Sequence, residues 1–300
     1  MKNILITGGT VFVSRYVAEY YVKKGDSVYV LNRGNHNQVE GVTLIKCDRH
    51  NLEDKLKDYD FDVVLDITAY SKEDVECLVK SLKTINQYIF ISSSAIYPET
   101  LAKPFKEEQK CGNNSIWGDY GKNKYEAEQY LNENVKSAYI LRPPYLYGTM
   151  QNLYREPFVF DCAIGNRTFY MPKDGNMKLQ FFHVEDLCKF IDIILEKQPE
   201  EHIFNVGNTD CVSINQWVKL CYNIVGKELK TEYVDETQGQ RDYFCFHDYE
   251  YELDLTKQTR LMPYTKPLEE GLKESYEWYK NHQDEVNKKP YVEYIDKNLI

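Results

Sequence analysis

Short apolar or β-branched runs alternate with longer amphipathic ones through the first 150 residues. NILI precedes a stretch from Val13 to Lys24, SVYVL follows, VTLIKC precedes Leu52 to Lys57, and DVVLDI precedes Lys72 to Leu82. QYIFIS, then Tyr120 to Leu131, then AYILR complete the series. The short runs read as buried strands and the amphipathic ones as covering helices, the βαβ rhythm of a parallel sheet with helices on both faces. Ser71 before KEDVECLV and Asp119 before YGKNKYEAEQYL are predicted N-caps, since a side-chain oxygen there accepts from unpaired first-turn amides. Gly25 is predicted to stop the first helix.

After Gly148 the rhythm loosens into PFVFDCAIGNRTFYMPKDG. It resumes with a helix predicted over Glu185 to Glu196, a strand at IFNV and a helix from Asn215 to Val225. DYFCFHDYEYELDL is aromatic and acidic, and the segment from NHQDEVNKK to NLI is polar with a few apolar anchors. No internal repeat interrupts this order, which sets aside a solenoid.

Composition narrows the classes. With 28% charged residues and no apolar run near the roughly 20 residues of a membrane helix, a soluble protein is expected. MKNILITGGT enters a strand pattern directly, without the features of a secretion signal, so the expected location is cytoplasmic. Eight cysteines show no metal-ligand spacing; they read as reduced, mostly buried thiols, and no metal is expected. The net charge of −10, without a basic patch, argues against a nucleic-acid partner. Arginine is sparse, eight in all, which makes each one a suspect for a specific anion contact.

The first strand runs into Thr7, Gly8, Gly9, Thr10, Val11, Phe12, Val13 and Ser14, with a helix after it. A dinucleotide pyrophosphate sits at such a helix N-terminus. Against the spacing TGxxGxxG only Gly8 survives, with Val11 and Ser14 in the other two places, so the stretch also reads as a plain strand-to-helix turn. Asn32 and Arg33 end the second strand where an NAD binder usually has an acid, and Arg33 suits a 2′-phosphate. The cofactor is therefore NAD or NADP, with the balance toward NADP. Asp48 either accepts from an adenine amino group or caps the next helix. Ala69 and Tyr70 close the fourth strand near a nicotinamide ribose, and Ser92 ends the fifth on the cofactor side.

Tyr120 and Lys124 are four apart and share a helix face. A phenol has a pKa of about 10, and a neighbouring ammonium is expected to lower it toward use as a base. Serine hydroxyls at the end of the fifth strand can hold a substrate oxygen beside that phenol. The nucleotide loop, the serine-rich strand end and YxxxK stand in the order that hydride chemistry on a hydroxyl or keto carbon needs.

From Ile4 to about Leu261 the chain resembles the extended short-chain dehydrogenase/reductases, the NAD-dependent epimerase/dehydratase family, through YxxxK, LRPPYLYG, FFHVEDL and IFNVGN in the family order. The resemblance implies an α/β fold, a Rossmann-type doubly wound parallel sheet with a smaller C-terminal substrate lobe. Residues 1–150 with 179–207 would form the dinucleotide-binding domain, and 151–178 with 208–300 the lobe. It selects Ser93 as the catalytic hydroxyl beside Tyr120 and Lys124, with Ser94 as a neighbour on the substrate. It sets Arg142, Pro143 and Pro144 along the nicotinamide side, and assigns Asn152, Arg241 and Arg167 to a nucleotide diphosphate.

HVEDL would be a structural turn, with His183 outside the chemistry. Ser94 and Ala95 stand where sugar dehydratases carry an acid pair, which leaves epimerase or ketoreductase chemistry on a sugar, with a nucleotide sugar as the expected substrate class. Family members pair through the YxxxK helix, so a homodimer is expected. The altered loop also resembles a divergent subgroup with RNA-associated chloroplast proteins, which keeps a non-catalytic Rossmann protein binding nucleotide, RNA or a partner as the alternative.

Overall fold

The computed structural model describes residues 1–300. Strand β1 (Asn3–Thr7) leads into helix α1 (Phe12–Lys23), followed by β2 (Ser27–Asn32), β3 (Thr43–Lys46), β4 (Val63–Asp66), α2 (Lys72–Ser81), β5 (Gln87–Ile91), α3 (Asp119–Asn134) and β6 (Ala138–Arg142). Beyond these come β7 (Tyr145–Tyr147), α4 (Glu156–Ile164), β8 (Phe169–Pro172), β9 (Lys178–Leu179), β10 (Phe181–His183), α5 (Val184–Lys197), β11 (Ile203–Asn205), β12 (Val212–Ser213), α6 (Ile214–Val225) and β13 (Thr231–Val234). Four helices finish the chain: α7 (Gln240–Tyr243), α8 (Thr256–Leu261), α9 (Leu268–Asn281) and α10 (Tyr291–Asn298).

The main sheet has the order β11-β6-β5-β4-β1-β2-β3, all parallel. Strand order reverses between β1 and β4, which opens a crevice at the carboxyl ends of the strands. Alternation along β1 sends Ile4 and Ile6 to the face covered by α1 and α5, and Leu5 to the face covered by α2 and α3. This is the doubly wound architecture the pattern predicts.

A third core of 35 buried residues lies beyond β6 and is rich in aromatics. Phe181 stacks on Trp217 at 5.9 Å, and Phe246 meets Trp217 edge-on at 5.1 Å. Such rings each contribute about 2–3 kcal/mol on burial. Three small pairs, β7 with β10, β8 with β13 and β9 with β12, carry the chain back and forth beside this core.

Several local expectations change. Leu52 to Lys57 is not a helix: a single 3-10 turn, Arg49–Asn51, gives way to open turns, because only Leu52 and Leu56 are buried there. Gly118, not Asp119, is the N-cap of α3, and Asp119 is the first helical residue. Ser71 forms a full capping box with Asp74, and Gly25 follows the end of α1 at φ +84°. All eight cysteines are free thiols and six are buried. No helix is long and apolar enough to cross a membrane.

Candidate active site

The crevice at the strand-order reversal holds a cavity of about 370 Å³ whose floor includes Ser92, Ser93, Tyr120 and Lys124. Val11, Phe12, Val13 and Ser14 form one wall, while Tyr70, Pro143 and Asn152 join the others. A second cavity of about 280 Å³ continues it past Gly8 to Asn32, Arg33 and Asp48. In the other direction a chamber of about 370 Å³ is bounded by Ser93, Ser94, Tyr120, Trp117, Tyr251 and Arg155. A distal chamber of about 430 Å³ shares Trp117 and Arg155 with it and adds Arg241 and Lys289.

Sequence-predicted residues thus converge along one trough. Thr10 and Ala69 stand beside it without lining it, although the Ala69 carbonyl accepts from Lys124. Arg167 is displaced: its guanidinium pairs with Asp296 of α10, away from these cavities, so the structure does not bring it to the site. Arg142 is turned inward and only the two prolines after it face the trough.

The dinucleotide end fits a diphosphate despite the altered loop. Helix α1 starts after Val11 with no side-chain cap and no acid in its first turn, so its first amides are left for an anion. Gly8 has φ +91°, and a Cβ there would lie 2.7 Å from Thr68 and 2.8 Å from the Ser14 hydroxyl. Gly8 is therefore held to glycine by both its backbone conformation and this contact. The Ser14 hydroxyl donates to the Val11 carbonyl at 3.0 Å. Val11 itself is extended and 42% exposed, and the left-handed residue is Phe12 at φ +36°. That conformation costs a non-glycine residue about 1–3 kcal/mol.

Buried polar groups hold the strand ends in register. Asp66 accepts from Thr7, Tyr88 and Arg49 at 2.8, 2.6 and 3.0 Å. The Asn32 amide donates to the Gly8 carbonyl at 2.7 Å and to Gln38, so it braces the loop. Asp48 accepts from the His50 amide at 3.0 Å, which gives it the capping role, while it also lines the cavity.

Helix α3 carries one functional stripe. Tyr120, Lys124 and Glu128 recur every fourth residue and so share a face. Glu128 is 1% exposed, takes a hydrogen bond from Ser92 and binds Arg142 of β6 at 2.6 Å. Ser92 is thereby committed to the framework although it borders the cavity. Gly121, beside Tyr120, packs against the Ser94–Ile96 turn so closely that a Cβ would sit 2.2 Å from the Ala95 carbonyl oxygen.

Lys124 is 3% exposed and donates to the carbonyls of Ala69 and Ile91, both at 2.7 Å. Burial pulls its ammonium down to about 8, against Asp66 and Glu128, which favour the charge. Two of its three donors are used, and one remains for the trough. Tyr120 keeps 36% of its surface exposed. Enclosure of the phenol raises its pKa, Ser93 hydrogen bonding lowers it, Tyr70 raises it and Arg155 lowers it. The phenol therefore stays above its ordinary value rather than below it as the spacing predicts: burial dominates, and the Ser93 hydroxyl, ahead of Arg155, is the group that opposes it.

Arg155, missed as a site residue, was already marked by the scarcity of arginine. Gly121 and Glu128 were also missed, although both sit within or one turn beyond YxxxK. The aromatic, acidic stretch supplies Phe246, His247 and Tyr251 to the chambers, while Asp248 is drawn off to Lys173 at 2.6 Å. Not one carboxylate lines the trough from Val11 through both chambers, whereas Lys124, Arg155, Arg241 and Lys289 all do.

His183 caps α5, its Nδ1 accepting from the Glu185 amide at 3.3 Å. Its neighbours Glu185 and Glu274 form a cluster of metal-ligand types with it, but the Lys266 ammonium sits 2.5 and 2.6 Å from the two carboxylates and fills that place.

Residues 4–207 match the profile of the NAD dependent epimerase/dehydratase family. The chain is 27% identical over 301 residues to the chloroplast stem-loop binding protein of 41 kDa b of Arabidopsis thaliana, covering 92% of this chain and 78% of that protein. Its fold resembles a UDP-glucose 4-epimerase with UDP-glucose from Thermotoga maritima, with a TM-score of 0.78 at 21% identity over 94% of this chain and 99% of that one. It likewise resembles a dTDP-glucose 4,6-dehydratase in complex with NAD from Bacillus anthracis, with a TM-score of 0.77 at 20% identity over 95% and 99% of the two chains.

Proposed function

The chain belongs to the NAD-dependent epimerase/dehydratase family, and we propose that it transfers hydride at a hydroxyl or keto carbon of a nucleotide sugar, as an epimerase or ketoreductase. The observation that carries this reading is the meeting of Ser93, Tyr120 and Lys124 where a dinucleotide trough opens into carboxylate-free, cationic chambers. A diphosphate ligand is the natural counterpart of such walls in a protein of net charge −10.

The dinucleotide, when bound, supplies or accepts the hydride. The open α1 amides would hold its diphosphate, and the free Lys124 donor would serve a ribose hydroxyl. The Ser93 hydroxyl holds the substrate oxygen. With its pKa raised, Tyr120 rests protonated and donates its phenolic proton to a carbonyl oxygen as that oxygen gains charge. In the oxidising direction the same phenol oxygen takes the proton back. Dehydration needs an acid and a base beside the tyrosine, and the neighbouring chamber has no carboxylate.

NADP is the cofactor this reading favours. Arg33, Arg49 and His50 line the adenine end, Asn32 replaces the acid that would repel a 2′-phosphate, and Asp48 is occupied as a cap. Asn152 and Arg241 belong to the substrate side, and a homodimer through α3 belongs to the same reading.

The test is denaturing release of bound cofactor with mass identification, followed by NADPH and NADH titration. Co-purified NAD marks a self-contained epimerase, and uptake of NADPH by an empty protein marks a reductase. Tyr120→Phe is expected to lose turnover by at least a hundredfold, and undiminished turnover refutes the assignment.

A second reading, a non-catalytic protein binding nucleotide, RNA or a partner, draws on the stem-loop binding relative and on Val11 and Ser14 in the loop. Absence of RNA retention at physiological salt removes its nucleic-acid version.

A further inference from the structure

Four of the eight arginines are matched to carboxylates: Arg15 to Glu285, Arg49 to Asp66, Arg142 to Glu128 and Arg167 to Asp296. Arg155 is not. Its guanidinium lies over Tyr145 and Phe246 at 5.0 and 5.7 Å, and donates once, to the Leu146 carbonyl at 3.3 Å. A guanidinium has five N–H donors, so most of this fork is uncommitted. The two rings fix its plane, which cuts the entropy lost when an anion is clasped.

Its position separates it from the other free cations. Arg241 and Lys289 line only the distal chamber. Arg155 borders that chamber, the trough, and the space bounded by Ser93, Ser94 and Tyr120. A nucleotide sugar whose diphosphate lies against Arg241 and Lys289 therefore presents its sugar, not its phosphates, to Arg155.

We propose that Arg155 is a specificity-determining residue that clasps a carboxylate on the sugar, next to the carbon served by Tyr120, so that the preferred substrate is a nucleotide sugar of the uronic-acid class. This rests on the nucleotide-sugar reading above. The planar fork matches a carboxylate with two parallel hydrogen bonds, and no protein carboxylate competes within the chamber. A sugar with a hydroxymethyl group in that place leaves the guanidinium unpaired, and a site built for a polar partner rejects a ligand lacking it.

The experiment measures equilibrium affinity of the full chain, with NADP present, for UDP-glucuronate, UDP-glucose and UDP. Wild type is expected to bind UDP-glucuronate at least tenfold more tightly than UDP-glucose. Arg155→Met is expected to erase that preference while its affinity for UDP and its melting temperature stay put; Arg155→Lys is expected to retain part of it. Arg241→Met, as a contrast, weakens all three ligands together.

Equal affinity of wild type for the two sugars overturns the proposal. So does an Arg155→Met variant that loses affinity for UDP, UDP-glucose and UDP-glucuronate alike, which would assign Arg155 to the diphosphate. Selective binding without turnover leaves Arg155 as the carboxylate reader and refutes the hydride-transfer reading alone. No affinity for any of the three ligands overturns both.

Discussion

Gly121→Ala adds one methyl group at the point where α3 meets the Ser94–Ile96 turn. That carbon would lie 2.2 Å from the Ala95 carbonyl oxygen and 3.0 Å from its carbon. Ordinary van der Waals contact begins at 3.4 Å, so helix and turn must part by about 1 Å. Tyr120 rides on the helix and Ser93 on the turn, so the separation falls between the two groups proposed to hold one substrate oxygen. A misplacement of about 1 Å costs on the order of 100-fold in rate. Stability responds differently. Overpacking costs about 1–3 kcal/mol, while replacing a helical glycine by alanine returns about 1 kcal/mol. The net loss is then about 0–2 kcal/mol, and the variant folds. The assay is nucleotide-sugar turnover beside NADPH affinity and urea unfolding. A fall in kcat of about 100-fold with cofactor affinity retained is the expected result. Wild-type kcat in a well-folded Gly121→Ala variant refutes the idea that this contact sets the Ser93–Tyr120 spacing.

Arg142→Leu leaves Glu128 buried without its cation and is expected to cost about 3–5 kcal/mol; the double variant Glu128→Leu/Arg142→Leu should lose less, and a double-mutant cycle measured by urea unfolding decides. Lys124 sits near 8 in the fold against about 10.4 when unfolded. The unfolded chain therefore holds more protons between these values, and this group makes stability rise with pH across that window by up to about 3 kcal/mol. Subtracting the unfolding free energies of Lys124→Met from wild type should isolate that rise, and a flat difference curve contradicts it. Burial holds His183 down to about 3, so its stabilising share is full above about 6.5 and is lost as pH falls toward 3. His183→Gln should show a shallower acid loss in the same measurement. Arg33→Asp is expected to shift preference from NADPH to NADH by at least tenfold in titration, and an unchanged ratio removes Arg33 from phosphate recognition.

The main sheet was legible because its central strands are buried on both faces and read as short apolar runs, with amphipathic helices between them. Helix α4 was not, for a physical reason: seven of its nine residues are buried, so PFVFDCAI shows no polar face and no helical period. Helix α9 hid for the opposite reason. Its inward positions are Gly271, Leu272, Ser275 and Tyr279, and only one of these four is aliphatic. In the site, spacing located Tyr120 and Lys124 together, and chain order added the serines. Arg167 was misassigned because its partner, Asp296, lies 129 residues away and no local pattern announces the pairing.

Lys124 and Arg155 both line the trough, and the spacing along the sequence pointed only to Lys124. Four-residue spacing brings Lys124 under Tyr120 on the helix face, but it does not say where a flexible ammonium points. The carbonyls of Ala69, beyond the end of β4, and of Ile91, at the end of β5, each take a 2.7 Å bond from it and fix its position. Enclosure of the Tyr120 phenol raises its pKa and keeps its proton on, and the Ser93 hydroxyl, ahead of Arg155, opposes that effect. Under the proposal above, a carboxylated sugar clasped by Arg155 meets a Tyr120 that already carries the proton reduction requires.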